Sequence, residues 1–464
     1  MSEQPGTAAP AAPTATPTPP SGRAFAAIAF AVALTPLNST MIAVALPAMS
    51  AGFGSAPSSV TVWVITAYLI ATIVFQMPAG AVADRMGYGP TLTLGRGLFL
   101  AGAASATMAP SLWFVIAGRL LMAAGGALML PTAMALLRVA VPADRRPRAF
   151  GAMGAVMGTA AALGPALGGL LIARANWRVL FLVNVPLVLI SWWLQPRGFG
   201  ADASPARRQH RFDVVGSVLL GVALILVVLA TRIPAPLAYI SGVTGLVLFG
   251  ALWVQARSVP APVVDFTLFR EAPFVAGAAV IALQNLAMYA LLIQVPFLFA
   301  GSAVAGPRLG AVVMAMTAMM ALTSPLGGRL AERIGSRRTV LIGGLAGAAG
   351  VFGLVPVSSI AHSGAAMSPL LVALPLVVVG LGLGLSTGPS QATALSAVEP
   401  HRSGMASAAI STLRYMGAIA GTAILGVALA AGTGGFSTQQ HALWIFGGAF
   451  VLSAGAALNL RLSR

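Results

Sequence analysis

The sequence predicts an all-α integral membrane protein whose chain crosses the bilayer fourteen times. Three observations carry that expectation. The chain is 58% hydrophobic and 8% charged, with mean hydropathy +0.92. A soluble domain is about half apolar and about a quarter charged, so this much apolar surface does not fit one water-soluble core. Apolar runs of about 20 residues, bounded by Arg, Pro or Gly, recur from end to end, and each is long enough to cross the hydrocarbon as a helix. The 26 basic residues are all Arg, and most fall in short stretches on alternate sides of those runs, as expected when positive charge stays on the cytoplasmic side.

Residues 1–22 are rich in Pro, Ala and Thr and predict a disordered cytoplasmic tail. The tail lacks the basic start and apolar core of a cleaved leader, so the first span is expected to direct insertion. Residues 23–195 form a first set of six spans, near 24–48, 59–82, 91–109, 112–139, 148–173 and 177–195. A linker, 196–271, carries two inserted spans near 213–231 and 236–255. A second set of six, within 272–460, lies near 273–300, 307–327, 339–359, 368–396, 404–430 and 438–460. Residues 461–464 are a cytoplasmic end. Twelve or thirteen spans remain an alternative if residues 213–255 pack differently.

Orientation follows from Arg. With the N-terminus inside, the cytoplasmic stretches and their adjoining helix ends hold twenty arginines, including Arg85, Arg145, Arg333 and Arg338. The outer loops hold Arg174, Arg178, Arg232 and Arg308. Both termini are therefore expected in the cytoplasm.

An internal repeat supports the two sets of six. "GAVADRMG" at 80–87 recurs as "GRLAERIG" at 328–335, and "GPALGG" at 164–169 has a weaker echo in "GAIAGT" at 417–422. Paired membrane halves are the architecture of rocking transporters, with the substrate site between them near the midplane.

Several function classes drop out. There is no Cys, so thiol catalysis, disulfides and thiolate metal sites are excluded. The four His lie in or beside loops without metal-ligand spacing. No phosphate-binding G-x-x-x-x-G-K-[ST] occurs, and no nucleophile–base pair. No cofactor, metal or enzymatic activity is expected. The loops are too short for a nucleic-acid reading domain, so the net charge of +17 reflects topology.

The repeated motif has a physical logic. Gly80 allows close helix approach, Asp84 and Arg85 sit where helix ends and neighbouring charges can lock one conformation, and Gly87 suits a turn. The copy uses Gly328, Glu332, Arg333 and Gly335, and both copies are expected in tight cytoplasmic loops. A solvated charged loop is the plainer alternative, and the duplication argues against it. On span 5, "GTAAALGPALGG" places Gly158, Gly164, Gly168 and Gly169 around Pro165. Gly164 and Gly168 form a smooth face for helix packing, and Pro165 removes a backbone donor and permits a kink.

These motifs resemble those of the major facilitator superfamily. The 80–87 segment is similar to its loop signature G-x-L-a-D-R-x-G-R-K, with Tyr88 and Gly89 replacing the basic pair. The span-5 segment resembles the antiporter motif G-x-x-x-G-P-x-x-G-G. "GRLLMAAGGALMLP" resembles R-x-x-Q-G-x-G-A-A, with Arg119, Gly125 and Pro131 matching and Met122 and Ala123 replacing Gln and Gly. "LNSTMIAVALP" resembles the L-D-x-T-I-V-N-V-A-L-P element of fourteen-helix drug:proton antiporters, with Asn38 in place of Asp. The resemblance implies two six-helix halves plus two inserted helices, in a bacterial-type inner (plasma) membrane. It implies export of amphipathic drugs or antibiotics against an inward flow of protons, and a chain working as a monomer in the lipid bilayer.

A charge census complicates that inheritance. All nine acids fall in the tail, in loops or at predicted helix ends. A mid-membrane carboxylate is the usual proton carrier, because burial raises its pKa into the working range. Within the spans lie Arg119 and Arg414, each costing at least about 2.5–3.5 kcal/mol to bury in hydrocarbon, so both are expected to face an interior cavity. Arg119 lies near enough to the outer end that snorkelling is an alternative. The candidate cavity residues are Asn38, Thr40, Tyr68, Arg119, Gln284, Asn285, Tyr289 and Arg414. Each polar side chain taken singly has the plainer explanation of an interhelical hydrogen bond. An anionic or neutral metabolite, or weakly coupled transport, is the alternative function, since the cavity holds Arg and amides but no carboxylate.

Overall fold

In a lipid core no water satisfies backbone groups, so each span must bond to itself, and the chain is helical throughout its apolar runs. The computed structural model describes residues 21–56, 60, 62–141, 146–196, 213–230, 233, 236–260, 262–264, 266–299, 306–362, 368–398, 403–430 and 436–460. The spans are α1 (Gly22–Phe53), α2 (Ala67–Met86), α3 (Tyr88–Thr107), α4 (Leu112–Ala140), α5 (Arg146–Arg174), α6 (Val179–Leu194), α7 (Val214–Ala230), α8 (Leu237–Ala256), α9 (Ala272–Leu298), α10 (Gly306–Ile334), α11 (Ser336–His362), α12 (Pro369–Ser396), α13 (Ser403–Ala430) and α14 (Phe436–Ala456). A π-helical turn, Val62–Thr66, leads into α2. Ten of these helices are long and apolar enough to cross a membrane by length and composition. Three more apolar stretches are shorter, Trp63–Gln76 at the start of α2, α6 and α7. The last, α3, carries Arg96. The count of fourteen is consistent with the sequence expectation. The proposed tail 1–22 and end 461–464 lie almost wholly outside the described residues.

Packing repeats with an offset of eight helices. α1 packs on α5 and α6 as α9 packs on α13 and α14, and α4 packs on α2 and α3 as α12 packs on α10 and α11. The two sets meet through α5 against α10, α1 against α9, and α2 against α13. α7 packs on α2 and on α8, and among the ten long spans α1 is the most buried and α8 the least. The inserted pair is therefore a peripheral hairpin. Asp213 anchors it: Oδ1 accepts from Gly216 N and Gln255 Nε2, both at 2.7 Å, and Oδ2 accepts from Val263 N at 3.2 Å.

The repeated motif is not a loop. α2 runs on to Met86 and α10 to Ile334, so Gly80, Asp84 and Arg85 are helical, as are Gly328, Glu332 and Arg333. The Ala, Glu and Arg of these segments are good helix formers, and nothing breaks the ladder before the final glycine. The turn is confined to Gly87 (φ 86°) and Gly335 (φ 87°), a conformation open to glycine but strained for other residues. Gly87 N bonds Ala83 O and Gly335 N bonds Ala331 O, each at 2.9 Å. The hydroxyls of Thr91 and Thr339 donate to the carbonyls of Gly87 and Gly335 at 2.7 and 3.0 Å. The repeat seen in sequence is thus a repeat of one helix–glycine–helix corner. Glu332 and Arg333 are exposed, and a methyl added at Gly328 would meet nothing within 4 Å.

Candidate functional site

Arg119 is the centre of the candidate site. It is 1% exposed, so it does not snorkel. Its Nη1 donates to Asn38 Oδ1 at 2.8 Å and its Nε to Val64 O at 2.7 Å. Its guanidinium carbon sits 4.1 Å from the Tyr68 ring centroid, a cation–π contact in a buried setting. Val64 lies in the π-helical turn, a form frequent at functional positions. Asn38 lies mid-way along α1, where the side chains of 34 and 37–46 are all buried.

Because Arg has no acceptor, the face Asn38 turns toward it must be its oxygen. Asn38 Nδ2 therefore points elsewhere, and it has no partner, nor do Arg119 Nη2 and Tyr68 Oη. Ser39 and Thr72 lie near the Tyr68 hydroxyl without completing a well-formed hydrogen bond. Thr72 spends its proton on the Tyr68 carbonyl at 2.8 Å.

The second set of helices faces this cluster. Tyr289 on α9 lies within electrostatic range of Arg119, Tyr68, Tyr415 and Arg414, and Tyr415 within range of Tyr68 and Arg414. Arg414 Nη2 donates to Gln391 Oε1 on α12 at 2.9 Å. Tyr289, Arg414 and Tyr415 are only half-buried, as side chains lining a space between helices should be. Tyr415 and Gln391 were not singled out by sequence. Gln391 carried no signal beyond its polarity, and Tyr415 could have been found as the aromatic neighbour of an intramembrane Arg.

Other expected cavity residues point elsewhere. Thr40 reaches α5: its hydroxyl lies 3.0 Å from both Pro36 O and Ala161 O. Gln284 turns toward α14, 3.4 Å from Ser453 Oγ. Asn285 bonds back to Ile281 O on its own helix at 2.8 Å.

The span-5 glycines form a packing seam on two fronts. A methyl on Gly164 would fall on Thr40 Oγ1, and one on Gly168 would lie 2.8 Å from Met41 O. A methyl on Gly169 would meet Gly306 O, and one on Gly310 would lie 2.5 Å from Pro165 O. The α5–α10 contact then loosens along the helices. Ala162 O and Thr317 Oγ1 are 3.4 Å apart, and a methyl on Gly158 would find Ala321 Cβ at 3.9 Å. Leu322 and Leu326 beyond it are exposed. The closed end is reinforced by Thr66 Oγ1 and Thr422 Oγ1 at 2.8 Å, joining α13 to the turn before α2.

An apolar cavity of about 570 Å³ lies between α2, α4 and α7, lined by Trp63, Ile70, Trp113, Leu120 and Ile225 among others. Apart from Thr66 and the two indoles its lining side chains are hydrocarbon, and several of its neighbours on α4 and α7 are exposed on the perimeter.

Two packed sets of six helices around a polar, charged interior define a membrane transporter of the rocking type. The family model of the Major Facilitator Superfamily matches residues 28–422, and the chain belongs to that superfamily. It is 32% identical over 400 residues to the uncharacterized MFS-type transporter YvkA of Bacillus subtilis (strain 168), covering 85% of this chain and 87% of that protein. It is 31% identical over 404 residues to the multidrug resistance protein Stp of Mycobacterium tuberculosis (strain H37Rv), covering 85% of this chain and 73% of that one. The fold also matches a crystal structure of a D-xylose-proton symporter, with TM-score 0.67, 13% identity and 94% and 95% of the two chains covered.

Proposed function

We propose that this chain exports small amphipathic organic molecules, drugs or antibiotics among them, by alternating access. The observation that carries this reading is the Arg119–Asn38–Tyr68 cluster, buried between the two sets of helices and faced by Tyr289, Arg414 and Tyr415. The moving bodies are residues 23–195 and 272–460, with 196–271 carried beside the first. Both termini are cytoplasmic, in a bacterial inner membrane. In that orientation the Gly169–Gly310 seam and the Thr66–Thr422 bond close the outer side, and the looser ends of α5 and α10 face the cytoplasm. The conformation fits a carrier waiting for cargo from inside.

Proton coupling through an acid on α1 is not supported, because Asn38 cannot hold or release a proton near neutral pH. No Asp or Glu occurs in α1, α4, α9, α12 or α13. In this reading the driving proton travels on the substrate, or the membrane potential supplies the drive. Reconstitution into ATP-free liposomes tests the transport reading. A panel of cationic, neutral and anionic fluorescent amphiphiles should include at least one whose uptake saturates and is accelerated by the same compound preloaded inside. Uptake matching protein-free liposomes for every member would reject it.

A further inference from the structure

Arg119 holds a permanent charge, and none of its partners among the described residues carries a counter-charge. Its partners are a neutral amide, a backbone carbonyl and the face of a ring. A buried charge of this kind is stable only when paired or fully hydrogen-bonded, and Nη2 is neither. Arg414 has the same character, since its bond goes to the Gln391 amide oxygen.

The spare groups around Arg119 share one polarity. Nη2 of Arg119 and Nδ2 of Asn38 are pure donors, and the Tyr68 hydroxyl can donate as well. All three belong to side chains at most 2% exposed. The guanidinium and the amide are joined at 2.8 Å through Nη1 and Oδ1, so Nη2 and Nδ2 belong to one polar cluster. Such a set is unsatisfied by a cation and half-satisfied by a neutral acceptor. A group with two oxygens and a negative charge would satisfy it.

We propose that this cluster binds the anionic head of an amphipathic substrate, a carboxylate, sulfonate or phenolate, on Arg119 and Asn38. The aromatic or aliphatic body of the substrate lies toward Tyr289 and Tyr415. The inference rests on the transport reading for its biological use and names the substrate class of the same site. It also gives Asn38 a role. An Asp at this position would occupy Arg119 from within the protein, whereas the amide leaves the guanidinium free for an external anion.

Equilibrium binding to purified protein in phosphatidylcholine nanodiscs tests this with three probes sharing one ring: 1-naphthaleneacetate, 1-naphthaleneacetamide and 1-naphthylmethylamine. The zwitterionic lipid removes anionic headgroups as occupants. The acetate should bind at least about tenfold tighter than the amide, or about 1.4 kcal/mol, and the amine weakest. Asn38→Asp, which keeps the shape and the acceptor facing Arg119, should erase the preference while its melting curve shows a folded protein. Arg119→Gln should erase it too. Equal binding of the three probes, no saturable binding of the acetate, or an undiminished preference in Asn38→Asp would overturn the proposal. Binding is read without a gradient, so a protein that prefers the acetate yet moves nothing sinks only the transport reading. One that transports without anion preference sinks only this inference.

Discussion

At the residue scale the pivotal pair is Asn38 and Arg119. A carboxylate at position 38 would face Arg119 at hydrogen-bond distance and add a titratable group to an interior that otherwise has no acid on α1, α4, α9, α12 or α13. With a substrate whose charge does not vary with pH, Asn38→Asp should therefore give liposome transport a pH dependence that the Asn38 protein lacks, set by burial, which raises the carboxyl, against the Arg119 guanidinium, which lowers it. Superimposable pH profiles would exclude a role for this position. Arg414→Ala should lower transport at least about tenfold, the scale of one charge-assisted hydrogen bond, while leaving membrane insertion intact. Wild-type rates in a correctly inserted Arg414→Ala protein would remove it from the site. Sequence could nominate Asn38, Tyr68, Arg119, Tyr289 and Arg414, because charge and amide groups are conspicuous in a greasy run. It could not say which way each faces. α1 and α9 are apolar on every side, so helical periodicity, which orients residues on an amphipathic helix, is silent there. Thr40, Gln284 and Asn285 were placed in the cavity for that reason, and each serves a neighbouring helix or its own backbone instead. The Val64 carbonyl was invisible, since a backbone acceptor exposed by a π-turn has no side-chain signature.

At the scale of elements, the two glycine corners and the span-5 seam are the parts whose geometry admits little else. Gly335→Ala forces a side chain into a backbone region at φ 87° and should cost about 1–3 kcal/mol, seen as a lower melting temperature in nanodiscs. Gly328→Ala, in the helix that ends at this corner and where an added methyl meets nothing within 4 Å, should be neutral or slightly stabilising. An equal loss in both would contradict the corner. Gly169→Ala drives a methyl into Gly306 O and the Gly310 backbone, so it should wedge α5 from α10 at the closed end. The chain has no native cysteine, so a single introduced cysteine near this seam reports the change cleanly. Its labelling from the outside should speed up in Gly169→Ala, and unchanged labelling would show the seam is not the outer closure. Span positions were legible because length and hydropathy set them. The extent of α2 and α10 was not, because a charged, glycine-bearing stretch looks like a loop until its helix formers are weighed against one final breaker. Gly328, the counterpart of a glycine expected at a helix contact, proves to face open space.

At the scale of the molecule, the offset of eight in helix packing, the matching corners at Gly87 and Gly335, and the paired inter-set contacts describe two related bodies meeting at a charged interior. The internal repeat points the same way, since a motif recurring at a fixed offset implies a recurring fold. The peripheral place of α7 and α8 was not legible in the sequence, because their composition is as apolar as that of the core spans. What sets this interior apart is fixed positive charge with no Asp or Glu on α1, α4, α9, α12 or α13. The most direct test is uptake of 2-naphthalenesulfonate, whose charge does not vary with pH, into proteoliposomes under a pH gradient with the membrane potential clamped at zero. Such an interior should give saturable, protein-dependent equilibration with no accumulation driven by the pH gradient. Accumulation above equilibrium on the pH gradient alone would contradict it.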